Sequence, residues 1–257
     1  MTRFLDDLGH PVVLPRTPRR VVSLVPSLTE AVAWSAPDVL VGATDWCTHP
    51  TELQVTRVRG TKNPDLDAIA ALEPDLVVSD EEENRAPDLA ALRERGIAVW
   101  TTQIRSVDTA LRSIGRLVEA LDVRRPDWLD DAHEAWTAPT RVDPDRRVRA
   151  VIPVWRRPWM HVGSQTYAGD VLRRLGVDNV LRHHPDRYPA IPLPELPPAD
   201  LVILPDEPYA FAADDGPEAF APLPSALVDG RALTWYGPAM IGAPERLVRQ
   251  LRRRVGT

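Results

Sequence analysis

The clearest pattern of apolar and polar positions in this chain lies between Ser106 and Leu121. The apolar residues recur at the i, i+3, i+4 and i+7 spacing of one helix face: Val107, Ala110, Leu111, Ile114, Leu117, Val118 and Leu121. Ser106 is placed to cap the first turn, and Asp108 lies where the positive end of the helix dipole favours an acid. At about 1.5 Å per residue, this stretch predicts a helix about 24 Å long.

Similar apolar runs occur on both sides of this helix. Pro74–Glu81 upstream and Ala199–Glu207 downstream are each short buried-strand patterns that end in an acidic pair. We therefore expect two lobes joined by one long, rigid helix. The predicted boundaries are an N-terminal α/β lobe over 1–104, a connecting helix over 105–124 and a C-terminal α/β lobe over 125–257.

In the first half of the chain, strand patterns alternate with helix patterns. A hairpin is predicted over 4–14, with turn residues Asp7 to Gly9. The predicted strands are Arg20–Val25, Val39–Thr44, Val58–Gly60, Leu76–Ser79 and Ile97–Thr101. The predicted helices are one opened by a capping box at Ser27–Glu30 and running through Trp34, then Asp65–Leu72, and Ala86–Arg95 ended by Gly96.

The second half repeats this rhythm less regularly. A short helix is predicted over Pro126–Trp136, and Ala138–Arg146 is interpreted as a surface linker. The predicted strands are Val148–Val154, Trp159–Val162, Leu201–Leu204 and Ala232–Trp235, and the helices are Thr166–Leu175 and Pro244–Val255. The alternation predicts an α/β fold in which each lobe has a mostly parallel sheet flanked by helices. Trp34, Trp128 and Trp136 fall on helical patterns and are interpreted as packing residues.

Composition excludes several classes of protein. Apolar residues at 44% and charged residues at 26% are typical of a globular chain, and a net charge of −6 argues against a nucleic-acid binder. No apolar run reaches the length of a membrane span, and the first 15 residues lack the apolar region of a signal peptide. As written, the sequence predicts a cytoplasmic protein, or an extracytoplasmic one if an export signal was removed. Cys47 is the only cysteine, so an intramolecular disulfide and a cysteine-based metal site are excluded.

Lysine usage singles out one candidate side chain. Of the 31 basic residues, only Lys62 is a lysine. Arginine occupies every other basic position, which suggests that it is used wherever either cation would serve. Lys62 is therefore a candidate for a role that needs the compact point charge of an ammonium group. Chance survival of one lysine is the competing interpretation, and both stay open.

Candidate ligand-binding residues come from the predicted strand ends, because ligands of open parallel sheets collect outside the carboxyl ends of the strands. The first lobe offers Trp46, Thr61, Lys62, Asn63, Glu83 and Asn84. The second offers Arg156, Trp159, Glu207, Trp235 and Tyr236. Aromatic rings mixed with cations and carboxylates suit a large, flat or chelated ligand. The sequence contains no phosphate-binding or nucleophile-elbow motif and no convincing triad, so no catalytic residue, intrinsic metal site or cofactor is predicted.

The chain also resembles a known family, the cobalamin- and siderophore-type substrate-binding proteins of ABC importers, which are also called class III or helical-backbone metal receptors. The resemblance covers nearly the whole chain. It rests on Arg20–Glu30, Val41-Gly42, the segment DAIAALEPDLVV from Asp67 to Val78, and Gly96-Ile97. Four further groups resemble one subgroup of the family: Gly60–Asn63, Glu82–Asn84, Arg187–Pro189 and Trp235–Gly237.

The resemblance implies a monomer that holds a cobalamin-like corrinoid or a ferric siderophore or haem between its lobes. Trp46, Trp159 and Tyr188 match or lie near positions at which the cobalamin binders carry aromatic residues, whereas Thr61 replaces another such aromatic. The family also carries one acid on each lobe that pairs with arginines of a permease, and Asp67 and Glu195 match these acids.

Two functions follow as hypotheses. The first is non-catalytic binding of a metal chelate as the substrate-binding component of an ABC importer. The alternative is a cytosolic relative of the same fold that acts as an enzyme or as a metal- or corrinoid-handling protein.

Overall fold

The computed structural model describes residues 1–14, 17–137 and 147–253, and the chain forms two compact units. Unit 1 comprises Met1–Ile104, Asp108–Ala132 and Tyr236–Pro238. Unit 2 comprises Arg105–Val107, His133–Trp235 and Ala239–Thr257. The predicted linker Ala138–Arg146 and the end of the predicted last helix lie outside the described residues.

Unit 1 is built on a parallel sheet. Its strands are β1 (Thr2–Leu5), β2 (Pro11–Leu14), β3 (Val21–Ser23), β4 (Leu40–Ala43), β5 (Thr56–Arg57), β6 (Arg59–Gly60), β7 (Asn63–Pro64), β8 (Leu76–Asp80) and β9 (Val99–Thr102). Five of them form the sheet in the order β5-β4-β3-β8-β9, and every neighbouring pair is parallel. β1 and β2 form the predicted antiparallel hairpin, and β6 and β7 form a second, shorter hairpin.

Helices accompany these strands. They are α1 (Pro26–Ser35), α2 (Leu66–Ala71), α3 (Ala86–Glu94), α4 (Val107–Ala120) and α5 (Asp127–Thr137). The side chain of Asp65 caps α2 by accepting from the Ala68 N–H, and Gly96 follows α3 with a φ of +80°. The predicted capping box of α1 is wrong. Val25 is the N-cap without a side-chain bond, Pro26 takes the first helical position, and Ser27 therefore lies inside the helix.

The 106–121 pattern is confirmed as α4. All of its predicted apolar positions except the half-buried Leu111 are buried. Asp7, in the turn of the first hairpin, accepts hydrogen bonds from Ser113 and Arg116 of α4. Asp7, which was predicted only as a turn residue, therefore also links the hairpin to α4.

Unit 2 repeats the parallel arrangement. Its strands are β10 (Val148–Val151), β11 (Pro153–Arg156), β12 (Trp159–His161), β13 (Val177–Asn179), β14 (Leu201–Pro205) and β15 (Ser225–Val228). Its further helices are α6 (Tyr167–Arg174), α7 (Gly230–Thr234) and α8 (Ala243–Arg252). The sheet has the order β13-β10-β14-β15 with all pairs parallel, while β11 and β12 form an antiparallel pair. The predicted α/β fold class is confirmed.

Two sequence predictions in this part of the chain are corrected. Ala232–Trp235 is not a strand: Asp229 caps the Ala232 N–H at 2.8 Å, so Ala232–Thr234 belong to the short helix α7 and Trp235 is its C-cap. The strand lies just before it, at Ser225–Val228, where four residues are too few to show a period. Trp128 and Trp136 are buried as predicted, but the side chain of Trp34 is 54% exposed.

Candidate functional site

Asn84 holds three strand ends of unit 1 together. Its buried amide donates to the carbonyls of Leu24 at 3.3 Å and Thr61 at 3.0 Å, and its Oδ1 accepts from the Asp80 N–H at 2.9 Å. Both amide hydrogens are therefore used inside the unit. Asn84 joins the residues after β3 and β8 to the turn between β6 and β7.

Lys62 fastens the same turn to the acidic segment after β8. Its Nζ donates to the carbonyl of Glu82, and its charge lies near Glu83. Burial raises the pKa of Glu83 above its ordinary value, and the Lys62 cation opposes that rise. The only lysine of the chain thus has a structural partner here.

Trp46 follows β4 and its side chain is 67% exposed. A Cβ built on Gly60 would lie 3.3 Å from the Trp46 Nε1 and 2.5 Å from the Asn63 Oδ1, so a side chain here would displace the Asn63 amide and crowd the indole. The structure thereby brings Trp46, Thr61, Lys62 and Asn63 together with the acidic segment. We call Asp45-Trp46, Gly60–Asn63 and Asp80–Asn84 the unit 1 edge.

The next residue in the loop, Cys47, is buried beneath this edge. Its Sγ contacts the hydroxyls of Thr29 at 2.9 Å and Thr44 at 3.1 Å. Burial raises the pKa of the thiol above its ordinary value. Arg57 donates to the carbonyls of Thr44 and Cys47, both at 2.9 Å, and so holds the loop that presents Trp46.

Asp80 is the buried member of the acidic segment, with 3% exposure. Burial raises its pKa to about 7, against the opposing effect of hydrogen bonds from the Thr102 hydroxyl at 2.7 Å and the Glu82 N–H at 2.8 Å. Tyr236 is also buried here and shares a hydrogen bond with Ser27. Burial, together with the nearby Asp80 and Glu83 carboxyls, raises the pKa of Tyr236 well above its ordinary value.

In unit 2, Arg156 is held by two carboxylates. It donates to Asp215 and to Glu218, and its guanidinium carbon lies 5.5 Å from the ring centre of Trp159. The hydroxyl of Tyr209 donates to the same Asp215 at 2.6 Å. The positive charge of Arg156, which was predicted to face a ligand, is thus balanced by two acids of the same unit.

Trp159 belongs to an aromatic cluster. Its ring stacks on Phe211 with centres 6.1 Å apart and meets Phe220 edge-on at 5.2 Å. Trp155 meets Tyr209 edge-on at 5.7 Å, and its own side chain is 42% exposed. We call Trp155, Trp159, Tyr209, Phe211 and Phe220 the unit 2 aromatic cluster.

The candidate ligand-binding residues predicted from the sequence include neither Trp155 nor Tyr209. The available signal was strand alternation in β11, where Val154 faces the core and Trp155 faces out. The acids that hold Arg156 were missed, because Asp215 and Glu218 lie about 60 residues away in a segment without periodicity.

Other predicted residues of unit 2 differ in exposure. The buried Trp235 donates from Nε1 to Glu207 at 3.1 Å, and Arg231 lies over its ring at 5.1 Å. Tyr188 is exposed. A depression of about 210 Å³ lies elsewhere in unit 2, lined by residues that include Arg105, Gln165, Asp170, Arg173 and Arg182, and none of the predicted ligand residues lines it.

The two predicted docking acids differ in their surroundings. Asp67, exposed in the first turn of α2, accepts from Arg95 at 2.8 Å, and Arg95 also donates to the Leu66 carbonyl at 2.9 Å. Glu195 is exposed at the end of a single 3-10 turn, Leu193–Glu195.

Two further observations concern metals and membranes. Within residues 1–14, 17–137 and 147–253, no group of three or more His, Cys, Asp or Glu side chains is arranged to hold a metal ion. In the same part of the chain, every helix is too short or too polar to span a membrane.

Comparison with known proteins identifies the family. Residues 21–196 match the family model described as periplasmic binding protein. A vitamin B12-binding protein of Vibrio parahaemolyticus serotype O3:K6 (strain RIMD 2210633) is 24% identical over 182 residues, which cover 69% of this chain and 66% of that protein. The uncharacterized ABC transporter substrate-binding lipoprotein YvrC of Bacillus subtilis (strain 168) is 31% identical over 121 residues, 45% of this chain and 38% of that protein.

The chain thus spans less than two thirds of the length of these two curated relatives. Among solved structures, CeuE of Helicobacter pylori with Ni(II) bound has a TM-score of 0.81 at 16% identity, over 97% of this chain and 88% of that one. At this identity the likeness concerns the fold. The chain belongs to the periplasmic binding protein family.

Proposed function

We propose that this member of the periplasmic binding protein family binds a metal chelate without catalysis, as the substrate-binding component of an ABC importer. The observation that carries the proposal is the exposed indole of Trp46, which follows the parallel strand β4 and lies beside Gly60. A large aromatic face presented to solvent by a fixed loop suits a flat or chelated ligand. The names of the relatives, a vitamin B12-binding protein and an ABC transporter substrate-binding lipoprotein, support the same ligand class and role.

The candidate ligands are a cobalamin-like corrinoid, a ferric siderophore and haem. The proposed ligand-binding residues are those predicted from the sequence: Trp46, Thr61, Lys62, Asn63, Glu83, Asn84, Arg156, Trp159, Tyr188, Glu207, Trp235 and Tyr236. The most exposed aromatic among them is Trp46. We therefore expect the largest loss of ligand contact when this side chain is removed.

The test is titration with cyanocobalamin, haemin and ferric chelates, followed by visible spectra and tryptophan fluorescence. Trp46→Ala should weaken binding by about 1–3 kcal/mol, the range of an aromatic anchor. Trp34→Ala is the matched control, because Trp34 is also exposed but lies at the end of α1. Equal affinity of both variants and the parent would remove the assignment of Trp46. Recovery of the chelate with an unchanged mass would distinguish binding from an enzymatic role.

As an importer component, the protein would act outside the cytoplasm as a monomer and dock on a permease through Asp67 and Glu195. Both acids are exposed, and charges at a rim steer an encounter more than they supply affinity. The competing interpretation is that they are helix-start acids worth about 0.3–1 kcal/mol to folding, which suits Asp67 in the first turn of α2 but not Glu195 at the end of its 3-10 turn. Asp67→Lys combined with Glu195→Lys should leave chelate binding intact and abolish stimulation of a reconstituted permease ATPase. Normal stimulation would contradict docking through these residues.

The organisation into lobes is part of the same proposal. We propose an N-terminal lobe over 1–104, a connecting helix over 105–124 and a C-terminal lobe over 125–257. Limited proteolysis followed by mass spectrometry of the resistant fragments would test these boundaries.

A further inference from the structure

The depression of about 210 Å³ in unit 2 has no ligand in the proposed function. Its walls are the Gly163–Thr166 loop, one side of α6, β13 and Arg182. Its volume is below the range of about 300–1,000 Å³ that sites for drug-sized ligands occupy. The depression therefore suits a small molecule.

Buried contacts fix the loop that forms one wall. Asn179 donates to the carbonyls of Val162 and Gly163 at 2.8 and 3.1 Å. A Cβ built on Gly163 would overlap the carbonyl oxygen of Asp186, so the loop packs tightly against that segment. The hydroxyl of Thr166 caps the first turn of α6. The wall is therefore formed by the fold itself, and a ligand would not have to order it.

The side chains around the depression carry more hydrogen-bond donors than the protein uses. In the described part of the chain, the hydroxyl of Ser164 and the guanidinium of Arg182 make no hydrogen bond. Arg173 uses one nitrogen for an acid of the wall and has further N–H groups. Arg105 also lines the depression, where it donates to the side-chain oxygen of Gln165 at 3.1 Å. A ligand that only accepts hydrogen bonds therefore matches this wall.

The two acids of the wall are already bound by arginines. Arg173 and Arg174 both donate to Asp170, at 2.6 and 2.9 Å. Arg147 donates to both oxygens of Asp178, at 2.9 and 2.8 Å, and this hydrogen bonding lowers the pKa of Asp178 below its ordinary value. Both acids therefore lie in ion pairs, which weakens their repulsion of an anion.

Other charged residues of unit 2 lie near this wall. Arg149 belongs to β10, next to β13, and Asp200 accepts from its backbone N–H at 3.3 Å. Asp186, next to the loop, has a side chain that is 75% exposed and lies 3.9 Å from His184, and Arg187 follows it with partners of its own. Both signs of charge occur here, and water screens the exposed ones. A preference for an anion therefore has to come from the arginines that line the depression.

We infer that the depression of unit 2 is a ligand site for a small, doubly charged oxyanion, whose carboxylate or phosphate oxygens accept hydrogen bonds from Ser164, Arg173 and Arg182. Guanidinium groups match such ions because their N–H donors lie in one plane and can bind two oxygens at once. The site is independent of the proposed chelate binding, because none of the residues proposed for the chelate lines it. Carboxylates and phosphates share this chemistry, and separate probes distinguish them.

The test is isothermal titration calorimetry of the whole protein with succinate and, separately, with inorganic phosphate, against sodium chloride at the same ionic strength. We expect one of the two anions to bind at a single site. Arg182→Gln should weaken that binding by about fivefold or more, because it removes a charge-assisted hydrogen bond. Ser164→Ala, which changes no charge, should weaken it by about two- to threefold. Arg249→Gln, which removes the same charge from the exposed face of α8, is the control and should change it by about twofold or less.

Three results would overturn the inference. The first is no binding beyond the chloride baseline, and the second is an equal loss of affinity in Arg249→Gln and Arg182→Gln, which would indicate a general attraction of anions. The third is binding of hexaglutamate without binding of either small anion, which would make the depression a docking surface for an acidic protein segment. Trp46→Ala should bind the anion as the parent does, and a loss of binding there would also contradict a separate site. Loss of chelate binding with intact anion binding would remove the proposed function alone.

Discussion

In both units the side chain of a buried asparagine joins strand ends, but the residues around that asparagine differ between the units. In unit 1, Asn84 donates to the carbonyls of Leu24 and Thr61 and accepts from the Asp80 N–H. In unit 2, Asn179 donates to the carbonyls of Val162 and Gly163, at 2.8 and 3.1 Å, and accepts from the Leu181 N–H at 2.9 Å. Two of the three asparagines of the chain thus tie strand ends together from buried positions.

What surrounds these asparagines differs. The unit 1 edge combines one exposed indole with carboxyls and one lysine. Unit 2 has a cluster of five aromatic rings, one of which, Trp159, lies next to the guanidinium of Arg156, itself held by two acids. The comparison teaches that the shared amide is a feature of the scaffold, and that the variable neighbours are the place to look for ligand selectivity.

The largest effect should come from removing the shared amide. Asn84→Ala and Asn179→Ala each leave two buried or partly buried carbonyls and one N–H without their partner, so each should lower the free energy of unfolding by about 2–4 kcal/mol. Asn63→Ala, at an exposed position, should change it by less than about 0.5 kcal/mol. Urea unfolding of the three variants measures this. A lower free energy of unfolding in only one of the two variants at buried positions would show that Asn84 and Asn179 do not play equivalent roles in the two units.

The next effect concerns Asp80, a buried acid of unit 1. The pKa of Asp80 is raised from 3.8 to about 7, so the folded state binds more protons than the unfolded state between these values. The protonated Asp80 carboxyl therefore makes its full contribution to the stability of the folded protein below about pH 4. This contribution is lost as the pH rises through about 7. In Asp80→Asn, the amide can donate to Thr102, whose hydroxyl then donates to the Ser79 carbonyl that it already contacts at 3.2 Å.

We therefore expect Asp80→Asn to match the parent near pH 4 and to exceed it by about 1–3 kcal/mol at pH 8, since one pKa unit corresponds to about 1.4 kcal/mol. Thermal unfolding across this range is the measurement, with the exposed Asp38→Asn as control. Parallel curves for the parent and Asp80→Asn would show that Asp80 titrates normally in the folded protein.

A smaller effect should separate the two candidate ligand cations. Arg156→Gln leaves Asp215 and Glu218 close together without their guanidinium and should cost about 1–2 kcal/mol, because a multiply bonded arginine is worth more than a simple surface pair. Lys62→Gln removes one exposed contact and should cost about 0.5 kcal/mol or less. Urea unfolding in low and high salt compares them. The reverse order of costs would mean that Lys62 holds the unit 1 edge more strongly than its contacts indicate.

The smallest effect concerns the docking acids, which also differ between the units. Arg95→Ala would release Asp67 from its ion pair at a cost to folding of about 0.5 kcal/mol or less. If Asp67 docks, the concentration that half-saturates permease stimulation should fall about two- to threefold, because no internal cation then competes. Arg124→Ala, which removes another exposed arginine–aspartate pair, is the control. An unchanged half-saturating concentration would show that Arg95 does not compete for Asp67.

Much of the fold could be predicted from the sequence, because long apolar patterns determine long elements. The 3.6-residue period of α4 and the uninterrupted apolar runs of β8 and β14 were strong signals. The incorrect predictions lie where a single residue determines how an element begins. A serine at position 27 resembled a cap, yet Pro26 begins α1, and Asp229 turns an apolar segment into a short helix.

The candidate site was less predictable for a different reason. Strand ends indicated which segments carry chemistry, but not which side chains are already engaged. The acids that bind Arg156 and the carbonyls that bind Asn84 come from segments 23 to 62 residues away in the chain, so no local pattern reveals them. Exposure is equally non-local: Trp34 and Trp136 both follow helical patterns, and only the tertiary structure buries the second.

The buried thiol beside Trp46 has a practical consequence for biosensor design. Cys47 is the only cysteine of the chain, and both its burial and its raised pKa disfavour the reactive thiolate. A thiol-directed dye should therefore ignore the native protein and label only a cysteine introduced at an exposed position. The parent sequence is thus suited to single-site fluorophores with which the proposed chelate binding can be followed in real time.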